Sequence, residues 1–173
     1  MTFRKWICKL MAYPWTIITS TIGRVLEAAQ ITDNFNFVYK SGTFAPTFAG
    51  DGTAGTPVYV TQKGKYVKMG ALVIAQFAVE ISAKTGMVGN LIVGGMPFTT
   101  SATITNPASG MIAYQHGLTY SGGYSALGLE TGSGVTFCQV VQHGSNVDSL
   151  FLPISGVAAS ANLYGTAIYM TDD

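Results

Sequence analysis

Two copies of the tripeptide Gln-His-Gly, at residues 115–117 and 142–144, hold both histidines of this 173-residue chain. Imidazole ligates metals and moves protons near neutral pH, so His116 and His143 are the first candidates for chemistry. A metal site needs further ligands close by, and neither triplet has a second His on its run or a neighbouring carboxylate cluster. Each His instead precedes a Gly at the end of an apolar run, a natural strand-to-turn position. An ion shared at an oligomer axis is the alternative to that structural role. Nucleophilic catalysis needs a Ser, Thr or Cys beside an oriented base, and the G-x-S-x-G elbow is missing. A carboxylate pair for glycoside cleavage would be drawn from Asp33, Asp51, Glu80, Glu130 and Asp148, but nothing in the sequence selects two of them. The residues therefore point away from an enzyme and give no reason to expect a metal or cofactor.

The remaining chemical candidate is "TQKGKYVKMG", residues 61–70, with Lys63, Lys65 and Lys68 around Gly64. A phosphate-binding loop joins a strand to a helix N-terminus, whereas Gly64 leads at once into an alternating run. The spacing predicts a hairpin turn at "QKGK", with Gly64 at positive φ and the lysines at its solvated end.

Charge is scarce. Charged residues make up 10% of the chain, against about 25% in typical domains. Every Lys and Arg lies at or before Lys84, so the second half cannot neutralise a run of phosphates. Nucleic acid is thereby excluded as a partner, and surfaces covered by other subunits are expected. Cys8 and Cys138 show neither metal spacing nor a disulfide framework, and read as reduced thiols.

Two segments with different periods carry these residues. In residues 1–34, Phe3, Trp6, Ile7, Leu10 and Met11 fall on one helical face, with Arg4, Lys5 and Lys9 opposite. Pro14 breaks this helix and is placed to begin a second. On that one Trp15, Ile18, Ile22, Val25 or Leu26, and Ala29 share a face. Lys9 and Pro14 interrupt any signal-peptide core, and the apolar run is too short for a membrane span. The segment reads as a short helical or extended arm that docks Trp6, Ile7, Leu10, Met11, Trp15, Ile18 and Ile22 on another protein, with a membrane surface as the weaker alternative.

From residue 35 to 173 the period is two. In residues 67–81 every odd position is apolar, which predicts one long strand, with Gly70 as a bulge or bend that could split it. Leu72 and Ile74 make its second face apolar and mark an oligomer interface. Short strands such as "NLIVGGMPF", "GVTFCQVVQ" and "ANLYGTAIYMT" follow, with glycine-rich breakers among them. The fold class is all-β: an antiparallel, jelly-roll-like sandwich, eight-stranded in its most economical form.

Gly42, Thr43, Phe44, Pro46 and Thr47, then Tyr59, Gln62, Gly64, Tyr66, Lys68 and Gly70, then Gly89, Leu91, Val93, Gly95, Pro97 and Phe98 stand in a familiar order. With the closing "LYGTAIYMT", they resemble the frame of small β-domains in bacteriophage virion proteins; Met96 replaces the usual Leu. The resemblance covers residues 41–98 and, loosely, the last strand. It implies a homotrimeric sandwich held on the particle surface by its N-terminus. The short leading segment suits capsid decoration, cement or head-fibre proteins, with a major capsid or other virion protein as partner. The alternative is a tail-fibre or adhesin tip that recognises a host-surface glycan through Tyr114, His116, Tyr120, Tyr124, His143 and Asn146.

Overall fold

A computed structural model describes residues 17–18, 25–26, 39–103 and 108–172. The chain forms two compact units, residues 1–40 and 41–173. In the first, β1 (Ile17–Ile18) pairs antiparallel with β2 (Val25–Leu26). At these four residues the extended form of the arm is present and not the second helix. The β-branched run Thr16, Ile17, Ile18 and Thr19 favours extended backbone, and Gly23 between the strands interrupts helical propagation. Of the attachment residues, Ile18 lies in β1, while Trp6, Ile7, Leu10, Met11, Trp15 and Ile22 lie outside the described residues, as does the first predicted helix.

The second unit is all-β. Its strands are β3 (Tyr39–Phe44), β4 (Thr47–Gly50), β5 (Val58–Met69), β6 (Leu72–Ala83), β7 (Leu91–Gly94), β8 (Ala108–Leu118), β9 (Tyr124–Thr131), β10 (Cys138–Gly144), β11 (Val147–Phe151) and β12 (Val157–Met170). They build one antiparallel sheet of ten strands in the order β3-β5-β6-β12-β8-β9-β10-β7-β4, with β11 beside β10. The two ends of this path, β3 and β4, are joined only by Ala45 and Pro46, so the sheet curls on itself and encloses a core. The Tyr59 hydroxyl ties the curl together. It accepts from the Phe48 N–H at 3.0 Å and donates to the Phe48 carbonyl at 3.1 Å, linking β5 to β4.

The inner face follows the expected alternation on β6, where Val73, Ala75, Phe77, Val79 and Ile81 are all buried. Phe48, Leu91, Val93, Val140, Leu152, Leu163 and Tyr169 complete the centre. Each such large apolar side chain contributes about 1.5–3 kcal/mol. Cys138 is among them, and burial pushes its thiol up to about 12, which removes it from thiolate chemistry.

The hairpin lies elsewhere than predicted. β5 runs through Gly64, which pairs with Phe77, and the chain turns at Gly70–Ala71, closed by Met69 opposite Leu72. Gly70 takes φ +56°, the left-handed region suited to Gly, while Gly64 does not. Gly64 is required for another reason. A Cβ there would lie 2.4 Å from the Phe44 ring, and one on Gly42 would lie 2.9 Å from the Tyr66 ring. Each strand of the β3–β5 pair thus offers a glycine to an aromatic ring of the other.

A two-residue turn pairs odd with even positions, so residues 67 and 69 face outward although Val73, Ala75, Phe77, Val79 and Ile81 face inward. For the same reason Lys68 points inward. It is 4% exposed with its ammonium 5.5 Å from the Phe98 ring centroid, a cation–π contact, and is no part of a solvated turn. Lys63 and Lys65 are exposed as expected.

Carboxylates fasten two loops. Asp51 accepts from the Asn90 N–H and side-chain amide. Asp172 accepts from the Ser101 hydroxyl, the Ala102 N–H and the Thr103 hydroxyl. Ser101's hydrogen bond, then Ala102's, holds the Asp172 carboxyl below its ordinary 3.8, and the two Asn90 bonds lower that of Asp51. A depressed carboxylate contributes stability that is fully present above its unfolded pKa and lost as pH falls through the folded one. The melting temperature should therefore stop responding to these groups above about pH 5 and drop as pH falls below 3.8. Asp172→Asn should flatten that drop; an unchanged acid limb in the variant would show that this clamp does not couple to folding.

Candidate functional site

The outer faces of β5, β6, β12 and β8 form a continuous surface whose rows follow from the register. Next to the hairpin, Met69, Leu72 and Met170 align, and beside them Val67, Ile74 and Ile168. The next row is Lys65, Gln76, Thr166 and Met111, and then Lys63, Ala78, Tyr164 and Tyr114. The last is Thr61, Glu80, Asn162 and His116. One end of the face is thus apolar and the middle is polar and cationic. Met69, Ile168 and Tyr114 are exposed, and Met111 is 77% exposed. Leu72 and Ile74, expected as interface residues, are half-buried within this apolar end.

Across the middle rows runs an open groove of about 790 Å³. Thr43, Lys63, Lys65, Gln76, Tyr164 and Thr166 contribute to its lining, and among the described residues no carboxylate does. Glu80, one row away, receives the Thr61 hydroxyl at 3.3 Å. Tyr164 is backed by Tyr114, ring centroids 5.3 Å apart and planes tilted by 34°.

The residues assigned to a glycan-binding loop are spread over β8, the β8–β9 loop, β9, β10 and the β10–β11 turn. Tyr114 and His116 lie on β8, His116 opposite Asn162. Tyr124 opens β9 and donates its hydroxyl to the Asp148 carbonyl at 2.9 Å. His143, on β10, has its Nδ1 3.0 Å from the Ser149 hydroxyl, and Asn146 turns β10 into β11 at φ 57°. Tyr120, half-buried, lies in the loop between β8 and β9. Among the described residues no group of three or more His, Cys, Asp or Glu could hold a metal.

The second Gln-His-Gly has a structural centre. Gln142 is fully buried; its side-chain oxygen accepts from the Ser121 N–H at 2.6 Å, and its amide donates to the Ser121 hydroxyl and the Phe151 carbonyl. The groove residues Lys63, Lys65, Gln76, Tyr164 and Thr166 were not grouped by sequence reasoning. The alternation of Tyr164, Thr166 and Ile168 with buried Leu163, Gly165 and Ala167 carried the available signal.

No family model matches the chain, and no curated protein matches it. Among solved structures, the crystal structure of the Dettilon tailspike protein superposes with a TM-score of 0.63 at 15% identity, over 76% of this chain and 24% of that one. This chain thus spans about a quarter of that tailspike. At this identity the likeness establishes a common fold.

Proposed function

We propose that this chain is a non-enzymatic structural protein of a bacteriophage particle. Its β-domain forms a surface knob, and the apolar end of its outer face, around Leu72 and Ile74, joins copies of itself into a trimer. Residues 1–34 attach the knob to a neighbouring virion protein. The observation that carries this reading is the fold shared with a phage tailspike over 76% of the chain. The motif order at residues 41–98 supports it independently. We take a tail-associated knob that contacts the host surface as the form that accords with that tailspike, with a capsid decoration, cement or head-fibre protein as the alternative form of the same reading. Immunogold labelling of purified particles with antibodies to this chain tests the reading. Label at the tail is the expected result, and label on the head would select the decoration form. Particles free of the chain, with antigen only in the surrounding lysate, would overturn the proposal.

A further inference from the structure

We propose that the groove across β3, β5, β6 and β12 is a binding site for an acidic saccharide, a short run of sugar rings carrying carboxylates. The inference rests on the reading of the domain as a knob that contacts a cell surface, and it moves the contact from the loops to the sheet face.

Three observations carry it. The first is charge. Lys63 and Lys65 project from alternate positions of β5 into one groove, and among the described residues no carboxylate lines that groove and neither lysine forms an ion pair. Two uncompensated ammonium groups on one wall select an anion. The second is the wall opposite. The half-buried Tyr164 ring, held by Tyr114, gives a flat amphipathic surface of the kind on which a sugar ring lies. Thr43, Gln76 and Thr166 add hydroxyl and amide groups that both donate and accept, as hydroxyl-rich ligands require. The third is the backbone. β5, β6 and β12 each have a hydrogen-bonded neighbour on both sides, so the floor offers no free strand edge to an acidic peptide. About 790 Å³ of open groove accommodates a few sugar rings and leaves their far sides in water.

The experiment titrates the full chain with a tetrasaccharide of alternating glucuronate and N-acetylglucosamine. A neutral glucose tetrasaccharide and a glutamate oligopeptide of equal charge run in parallel. Amide chemical shifts locate binding, and circular dichroism verifies the fold of each variant. Shifts should concentrate on β5, β6 and β12, and binding should weaken as salt is raised. Lys63→Gln with Lys65→Gln should weaken binding of the acidic saccharide by at least about tenfold. Tyr164→Ala should weaken it several-fold. Equal binding of the neutral sugar, equal or tighter binding of the peptide, or an unchanged affinity in the folded double variant would each overturn the proposal. So would absence of binding by all three probes, or a groove filled by a second copy of the chain that the saccharide cannot displace. Particle labelling and this titration fail separately: a chain found at the tail that ignores the saccharide loses only the groove.

Discussion

Phe48→Ala should lower the unfolding free energy by about 3–5 kcal/mol, the largest loss expected from any single truncation in this domain. The ring is 1% exposed in the middle of the core. What places the cost in the upper part of that range is the inability of the surroundings to close the void. The backbone of Phe48 is held from two sides. Phe48 pairs with Val93 of β7, and the Tyr59 hydroxyl binds both its N–H and its carbonyl from β5. β4 cannot slide inward without breaking one of these ties. Urea unfolding of the variant, read at constant m-value, gives the number directly. A loss below about 1 kcal/mol would mean that β4 yields, and that the curl is not closed as described.

Gly64→Val should cost about 3 kcal/mol, although it adds apolar volume in the middle of a strand where Val is ordinarily favoured. The first carbon added already overlaps the Phe44 ring at 2.4 Å, before either methyl is placed. Phe44 has little room to swing away, because it packs against the core. The expectation is separable from a turn effect by a double-mutant cycle. If the ring is the obstacle, Phe44→Ala should recover a large part of the Gly64→Val loss, giving a coupling of at least about 1 kcal/mol. Strict additivity would show that the Phe44 ring is not the obstacle.

That pair of glycines shows where sequence reasoning reached and where it stopped. Alternation at Val73, Ala75, Phe77, Val79 and Ile81 identifies the buried face of β6 without any structure, because burial and a period of two leave the same mark. The turn does not announce itself so clearly. Gly64 and Gly70 both lie in the lysine-bearing stretch 61–70, and local propensity ranks them equally. Only the partner strand distinguishes them, since Phe44 is 20 residues away in sequence and directly against Gly64 in space. Parity misled as well. Val67 and Met69 share odd numbering with the core residues, yet a two-residue turn turns them outward and turns Lys68 in. The groove was hidden for the same reason. Its lysines come from β5, its amide from β6, and its tyrosine and one threonine from β12, so no window of sequence contains it. In the N-terminal arm the extended form holds at Ile17–Ile18 and Val25–Leu26, where the β-branched run outweighs helical apolar spacing.

The place of β12 between β6 and β8 governs how the protein comes into being. It follows all the other strands in the chain, yet it lies near the middle of the sheet and runs for 14 residues. As the polypeptide leaves the ribosome, β6 and β8 emerge long before the strand that joins them. Until β12 arrives, each presents an unpaired edge, and the curl has no centre to close around. The curl therefore closes only once β12 is in place. A chain that stops before residue 157 lacks the strand that joins β6 to β8.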